Sequence, residues 1–113
     1  MKIYHNPRCS KSRQTLSIIK EKTSNFEIIE YLKSPLTFKE ITVLLSQLNI
    51  EPIELIRTQE TIWKEKYQSK KMNNEELSNS IIKHPKLMER QIVATNKKAV
   101  IGRPPENVLE LFN

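Results

Sequence analysis

The chain has one glycine and one cysteine in 113 residues. So little glycine excludes collagen-like and other glycine-rich fibrous folds. A lone cysteine cannot pair within its own chain, which excludes a disulfide-stapled secreted scaffold. No apolar run reaches the ~18 residues of a membrane-spanning helix. The opening Met1-Lys2-Ile3-Tyr4-His5 turns polar after one short apolar stretch and does not read as a secretory leader. These absences point to a cytoplasmic, reducing setting with no membrane attachment. Blocks of like charge are also missing. Lys+Arg is 19 against Asp+Glu 13, a net charge of +6, but the two signs are interleaved along the chain. Most of this charge reads as a solvated face, with some left to attract an anionic substrate. With no recognition motif beside it, nucleic acid is not an expected partner.

What is present suffices for one ordinary core, since 37% of the residues are hydrophobic. There is no internal repeat, no low-complexity segment and no flexible linker, so residues 1–113 read as a single domain. Lys2-Ile3-Tyr4-His5 is a short strand candidate, followed by an Asn6-Pro7-Arg8 turn and a helix over about 10–22. Residues 26–31 read as a second strand. Two strands joined through a helix suggest a parallel pair. Thr37-Phe38-Lys39-Glu40 is a capping-box pattern. Behind it Ile41, Leu44, Leu45 and Leu48 recur at helical spacing, the clearest periodic signal in the chain. Pro52 suits the first turn of another short helix, and a further one starts at Asn73-Asn74-Glu75-Glu76 and ends near His84, before Pro85. Residues 91–94 and 99–101 form a hairpin around Thr95-Asn96-Lys97-Lys98, and Pro104 opens a last helix. The order is β-α-β, helices, β-β-α. The expected fold is α/β: a four-stranded mixed sheet of the thioredoxin/glutaredoxin type, with helices packed on it and a helical insertion in the middle.

Cys9 falls between the first strand and the first helix. There the unpaired N–H groups and the helix dipole favour negative charge. Arg8, Lys11 and Arg13 surround it. Both effects stabilise thiolate over thiol, so a reactive nucleophile is expected rather than a small buried hydrophobe. In Cys9-Ser10-Lys11-Ser12 a serine stands where a dithiol oxidoreductase has its resolving cysteine. Oxidised Cys9 must therefore be resolved by an outside thiol. One cysteine and two histidines without a C-x-x-C pair do not make a usual zinc set. No bound metal or organic cofactor is expected.

The segment His5-Asn6-Pro7-Arg8-Cys9-Ser10-Lys11-Ser12-Arg13 resembles the active-site segment of the glutaredoxin-dependent arsenate reductase family. The likeness continues through Glu30–Pro35, Leu55-Ile56-Arg57, His84–Arg90 and Ile101–Glu106, so it spans essentially the whole chain. The chain stops soon after its last helix and so resembles the short chromosomal-type members, which lack an extra tail. The resemblance implies a thioredoxin-like fold and reduction of arsenate to arsenite. Cys9 would attack the oxyanion, glutathione would act as co-substrate, and a glutaredoxin would resolve the mixed disulfide. The family's three catalytic arginines match Arg57, Arg90 and Arg103. Arginine suits an oxyanion because its planar fork donates to two oxygens and stays charged. Three surface arginines in ion pairs are the alternative reading of the same residues. His5, Ser12 and Arg13 are supporting candidates. His5 is a charge partner of the cysteine or a structural residue; Ser12 is a donor to the thiolate or a helix cap. Asn6 and Arg8 are turn residues or position the loop, His84 is a helix cap, and Tyr31, Trp63 and Tyr67 are packing residues.

One position departs from the family. A cis-proline generally faces the active cysteine in this fold, and here that position holds Gln91. A cis bond before a non-proline residue costs ~3 kcal/mol. The Arg90–Gln91 bond is therefore expected to be trans, or cis under strain, with Arg90 displaced from the site. The competing functions are a thiol oxidoreductase acting on glutathionylated proteins or small thiols, and a thiol-stress regulator that contacts RNA polymerase. Such regulators commonly carry C-x-x-C, which this chain lacks. A monomer is expected.

Overall fold

The structure is a computed structural model and describes residues 1–112. Its strands are β1 (Lys2–Tyr4), β2 (Glu27–Ile29), β3 (Ile92–Ala94) and β4 (Ala99–Ile101). Its α-helices are α1 (Ser10–Lys22), α2 (Phe38–Leu48), α3 (Thr61–Lys66) and α4 (Asn74–Lys83). Three 3-10 helices cover Pro52–Leu55, Pro85–Leu87 and Pro105–Phe112. The residues group into two compact units, Met1–Ser34 with Arg90–Asn113, and Pro35–Glu89. Among the described residues no helix is long and apolar enough to cross a membrane.

The first unit is built on one four-stranded sheet in the order β2-β1-β3-β4. β1 runs parallel to β2, with Ile3 opposite Ile28, and antiparallel to β3, with Ile3 opposite Val93. β3 and β4 are an antiparallel hairpin. Its turn is closed by Thr95, whose hydroxyl accepts from the N–H groups of Lys97 and Lys98 at 3.2 and 3.1 Å. The sheet is mixed as expected, because α1 supplies the crossover that a parallel pair needs. Every strand is three residues long; β4 covers the 99–101 read from the sequence, while β1, β2 and β3 are shorter than the apolar pattern suggested. Ile3, Ile19, Val93 and Val108 form the buried core, with Leu16, Ile18 and Phe112 packed against it. Thus α1 and the C-terminal 3-10 helix cover the sheet. That last helix has 3-10 geometry and begins at Pro105, one residue after Pro104.

The second unit is helical. Thr37 and Glu40 form the capping box read from the sequence: the Thr37 hydroxyl accepts from Glu40 N–H and the Glu40 carboxylate from Thr37 N–H. Ile41 and Leu44 are buried, while Val43 on the other face is 48% exposed. Asn49 ends α2 in the left-handed region at φ 57°, which asparagine tolerates better than most residues. A second capping box, Asn73 with Glu76, starts α4, whose Leu77 and Ile81 face inward. The α3 helix was not foreseen. It carries Trp63, which is buried and stacks on Tyr67 at 5.7 Å between ring centroids. The His84 ring meets Tyr67 edge-on at 5.8 Å, and its backbone N–H closes α4 on the Ser80 carbonyl.

Candidate active site

The nucleophile is held by the loop from β1 to α1. Asn6 is half-buried; its side-chain oxygen accepts from Arg8 N–H at 3.1 Å and its carbonyl from Cys9 N–H at 3.0 Å. This is a local turn that asparagine makes with its own backbone. Arg13 Nη1 donates to the Pro7 carbonyl at 2.8 Å and ties the loop to the first turn of α1. Cys9 itself is the N-cap of α1, half-buried, and the first turn carries no acidic residue. Helix dipole and loop charge therefore act on the sulfur without a competing carboxylate in that turn.

Burial raises the Cys9 pKa. It is outweighed by the backbone N–H of Ser12, the charge of Arg90, the backbone N–H of Lys11 and, in the orientation that points Nε2 at the sulfur, the side chain of Gln91, so the thiol lies below its ordinary value. Arg90 thus acts on the sulfur from the residue just before Gln91. The Ser12 hydroxyl is engaged elsewhere. It pairs with His5 Nδ1 at 2.7 Å and accepts from Asn6 N–H at 3.0 Å, and it is fully buried. It is Ser12's backbone, not its side chain, that reaches the sulfur. His5 is buried, and that burial is the main cause of a pKa below 6.5; Glu30 opposes the shift, and Lys20 and Arg13 reinforce it. A neutral imidazole supplies no full positive charge near pH 7. Its link to the site runs through the Ser12 hydroxyl.

Gln91 is nearly fully buried, at 3% exposure, and its amide lies against the active loop. The Arg90–Gln91 peptide is cis, so the trans alternative fails; that expectation rested on the cost of the dipeptide alone. The Arg90 charge lowers the Cys9 pKa. One end of the Gln91 amide is 3.6 Å from Cys9 Sγ. Turned one way, the amide presents Nε2 to the sulfur. Turned the other way, Nε2 donates to the Gly102 carbonyl at 2.7 Å and Oε1 accepts from Ser12 N–H at 3.1 Å. Only the second orientation matches donor with acceptor at both ends. Gly102 leaves little room here for a side chain. A Cβ there would lie 3.1 Å from Val108 Cγ1 and 3.2 Å from Thr15 Oγ1, both buried.

Arg103 follows Gly102 and is exposed, with its carbonyl accepting from the Asn107 amide at 2.9 Å. Arg57 belongs to the second unit. An isolated antiparallel bridge between Ile56 and Met88, flanked by Arg57 N–H to Leu87 O and Glu89 N–H to Leu55 O, sets Arg57 beside Glu89. Its Nη1 meets Glu60 Oε1 at 2.7 Å and its Nε lies 3.8 Å from Glu89 Oε1. Within the first unit, then, the structure brings together Cys9, His5, Ser12, Arg13, Arg90 and Gln91. Sequence reasoning placed position 91 opposite the cysteine by resemblance, but missed the partners of the Gln91 amide at Ser12 and Gly102 and both carboxylates on Arg57. The i,i+3 spacing of Arg57 and Glu60 was a usable signal; the others come from residues distant in sequence. Among the described residues no group of three or more His, Cys, Asp or Glu could hold a metal ion.

Residues 4–111 match the ArsC family. YfgD of Escherichia coli K12 is 45% identical over 113 residues, covering 98% of this chain and 95% of that one. The arsenate reductase of Neisseria meningitidis serogroup B is 37% identical over 110 residues, covering 96% and 94%. Among solved structures, the arsenate reductase from Vibrio cholerae superposes with a TM-score of 0.91 at 38% identity, covering 97% of each chain.

Proposed function

The chain belongs to the ArsC family, and from that premise we propose that it reduces arsenate to arsenite through Cys9, with glutathione and a glutaredoxin as the source of electrons. The observation that carries this reading is the state of its one cysteine. Cys9 stands at the N-terminus of α1 with its pKa held down by the Ser12 N–H and Arg90 against the effect of burial. The same pull that favours thiolate favours an oxyanion beside it.

The thiolate attacks arsenic, a sulfur–arsenic bond forms and an oxygen leaves as water after protonation. Glutathione thiolate then attacks the Cys9 sulfur. A disulfide forms, the sulfur–arsenic bond breaks, and its electron pair stays on arsenic, which departs as arsenite. Two sulfurs are oxidised and arsenic is reduced by two electrons. A glutaredoxin thiol takes the glutathionyl group and returns Cys9 to the thiol. The chain's own part is to supply the nucleophile and to offset charge. Two negative groups must meet, and Arg90, with Arg103 and Arg57 as the remaining cationic candidates, offers the counter-charge. His5, Ser12 and Arg13 position the loop that presents the sulfur.

A coupled assay with glutathione, glutaredoxin, glutathione reductase and NADPH tests this. Arsenate-dependent NADPH consumption is expected from the native chain and is lost in Cys9→Ser. A second reading, a thiol oxidoreductase acting on a glutathionylated protein or small thiol, is favoured by one observation. Glu60 and Glu89 already engage the Arg57 guanidinium. Under arsenate reduction, Arg57→Ala lowers the arsenate-dependent rate severalfold or more. Under the second reading Arg57→Ala leaves thiol turnover intact, and arsenate drives no consumption although Cys9 still alkylates rapidly.

A further inference from the structure

Gln91 is a buried side chain with hydrogen-bonding groups on three sides: the Ser12 N–H, the Gly102 carbonyl and the Cys9 sulfur. A primary amide cannot serve all three in one orientation when the sulfur is a thiolate. If Nε2 faces the sulfur, Oε1 is set against the Gly102 carbonyl oxygen and Nε2 against the Ser12 N–H, two like-on-like contacts in a buried place. If Oε1 faces Ser12, both are satisfied, at 2.7 and 3.1 Å. The end of the amide 3.6 Å from Sγ is then the oxygen.

We propose that the Gln91 amide is a positioning residue that restrains Cys9, holding the resting nucleophile toward its thiol form by turning a carbonyl oxygen to the sulfur and occupying the Ser12 N–H. Two physical effects act together. The oxygen accepts from a thiol S–H and repels a thiolate. The Ser12 N–H, which would otherwise stabilise the thiolate, is shared with Gln91 Oε1. Other groups act on the sulfur in the opposite direction. From α1 come the N–H dipoles of Ser12 and Lys11, and from the residue preceding Gln91 comes the Arg90 charge. His5, at the end of β1, enters only through the Ser12 hydroxyl, and Arg13 is turned to the Pro7 carbonyl. Gln91 thus acts as a brake within a site otherwise built to ionise its cysteine. The restraint concerns the sulfur alone and holds for whatever substrate Cys9 attacks.

The test is the pH dependence of Cys9 alkylation by iodoacetamide, which reads the thiolate without arsenate, glutathione or glutaredoxin. Failure of the brake is thus distinguishable from failure of the arsenate reading. Gln91→Met keeps the bulk and removes the carbonyl. Its alkylation rate at pH 6 is expected to rise roughly three- to tenfold, the effect of freeing one donor for the sulfur, while the high-pH plateau stays at the native value. Gln91→Glu, with a charge in place of the amide, is expected to move the profile to higher pH. A Gln91→Met profile unchanged or moved to higher pH overturns the proposal. Because removing the amide can impair folding, a measurement on the native chain stands beside the variants. In NMR below the Cys9 titration, the Gln91 side-chain nitrogen is expected to show a through-bond coupling to the Gly102 carbonyl carbon. Side-chain amide protons close in space to Cys9 Hβ, without that coupling, overturn it.

Discussion

Replacing Ser12 with alanine separates what its side chain does from what its backbone does. The hydroxyl has two partners and almost no water: Ser12 is 1% exposed, His5 Nδ1 lies 2.7 Å away and Asn6 N–H 3.0 Å. Leaving the buried imidazole nitrogen unpaired costs about 1–3 kcal/mol. The Asn6 N–H belongs to a half-buried residue that water can reach, so its share is about 0.5–1.5 kcal/mol. Together Ser12→Ala is expected to lose roughly 2–4 kcal/mol of stability. For a chain of this size each kcal/mol moves Tm by roughly 4 °C, which predicts a fall of about 8–16 °C. Urea unfolding followed by far-UV circular dichroism gives the free energy directly, with an unchanged slope against urea showing that the unfolded state is the same. A loss below about 1 kcal/mol would refute the reasoning, since water would then be replacing the hydroxyl. The same variant carries a second reading. Its Ser12 N–H is intact, so the pH midpoint of Cys9 alkylation is expected to hold. A large upward movement would mean that the hydroxyl, not the backbone, serves the thiolate.

Three other outcomes follow from the same geometry. Both histidines have pKa values below 6.5, chiefly through burial; the unfolded chain therefore takes up protons near pH 6.5 that the folded chain refuses, so their contribution to stability is full above that pH and is lost as pH falls from it toward the folded values. Urea midpoints at a series of pH values measure this, and His5→Asn, compared with the native chain, flattens the slope. Gly102→Ala is expected to destabilise by about 1–3 kcal/mol, because the new methyl meets buried Val108 and Thr15 at 3.1 and 3.2 Å and neither can give way freely; thermal melts decide. Arg90→Met removes the side-chain charge that acts on Cys9, so the alkylation midpoint moves to higher pH; an unmoved midpoint would show that the guanidinium does not act on the sulfur.

The features that local chemistry controls were readable from the residues alone. α1 covers Ser10–Lys22, the span read from its apolar spacing, and Thr37 with Glu40 closes a capping box because both partners lie within one turn. The placement of Cys9 at a helix N-terminus follows from the same short-range logic: a turn at Asn6-Pro7-Arg8 must end before a helix can begin. The strand order β2-β1-β3-β4 satisfies the parallel-pair rule but was not itself written in any window of sequence. Strand ends, 3-10 rather than α geometry in the last helix, and the extra α3 helix were settled by packing, which overrides weak local preference. The site divides the same way. That Cys9 is a nucleophile could be argued from its neighbours in the chain. That Arg57 lies between Glu60 and Glu89 required a bridge between Ile56 and Met88. That Gln91 turns its amide to a sulfur 82 positions away required the sheet to carry β3 beside β1. A hydrogen bond is decided by distances of a few ångströms, and between residues so far apart in sequence only the tertiary structure sets those distances.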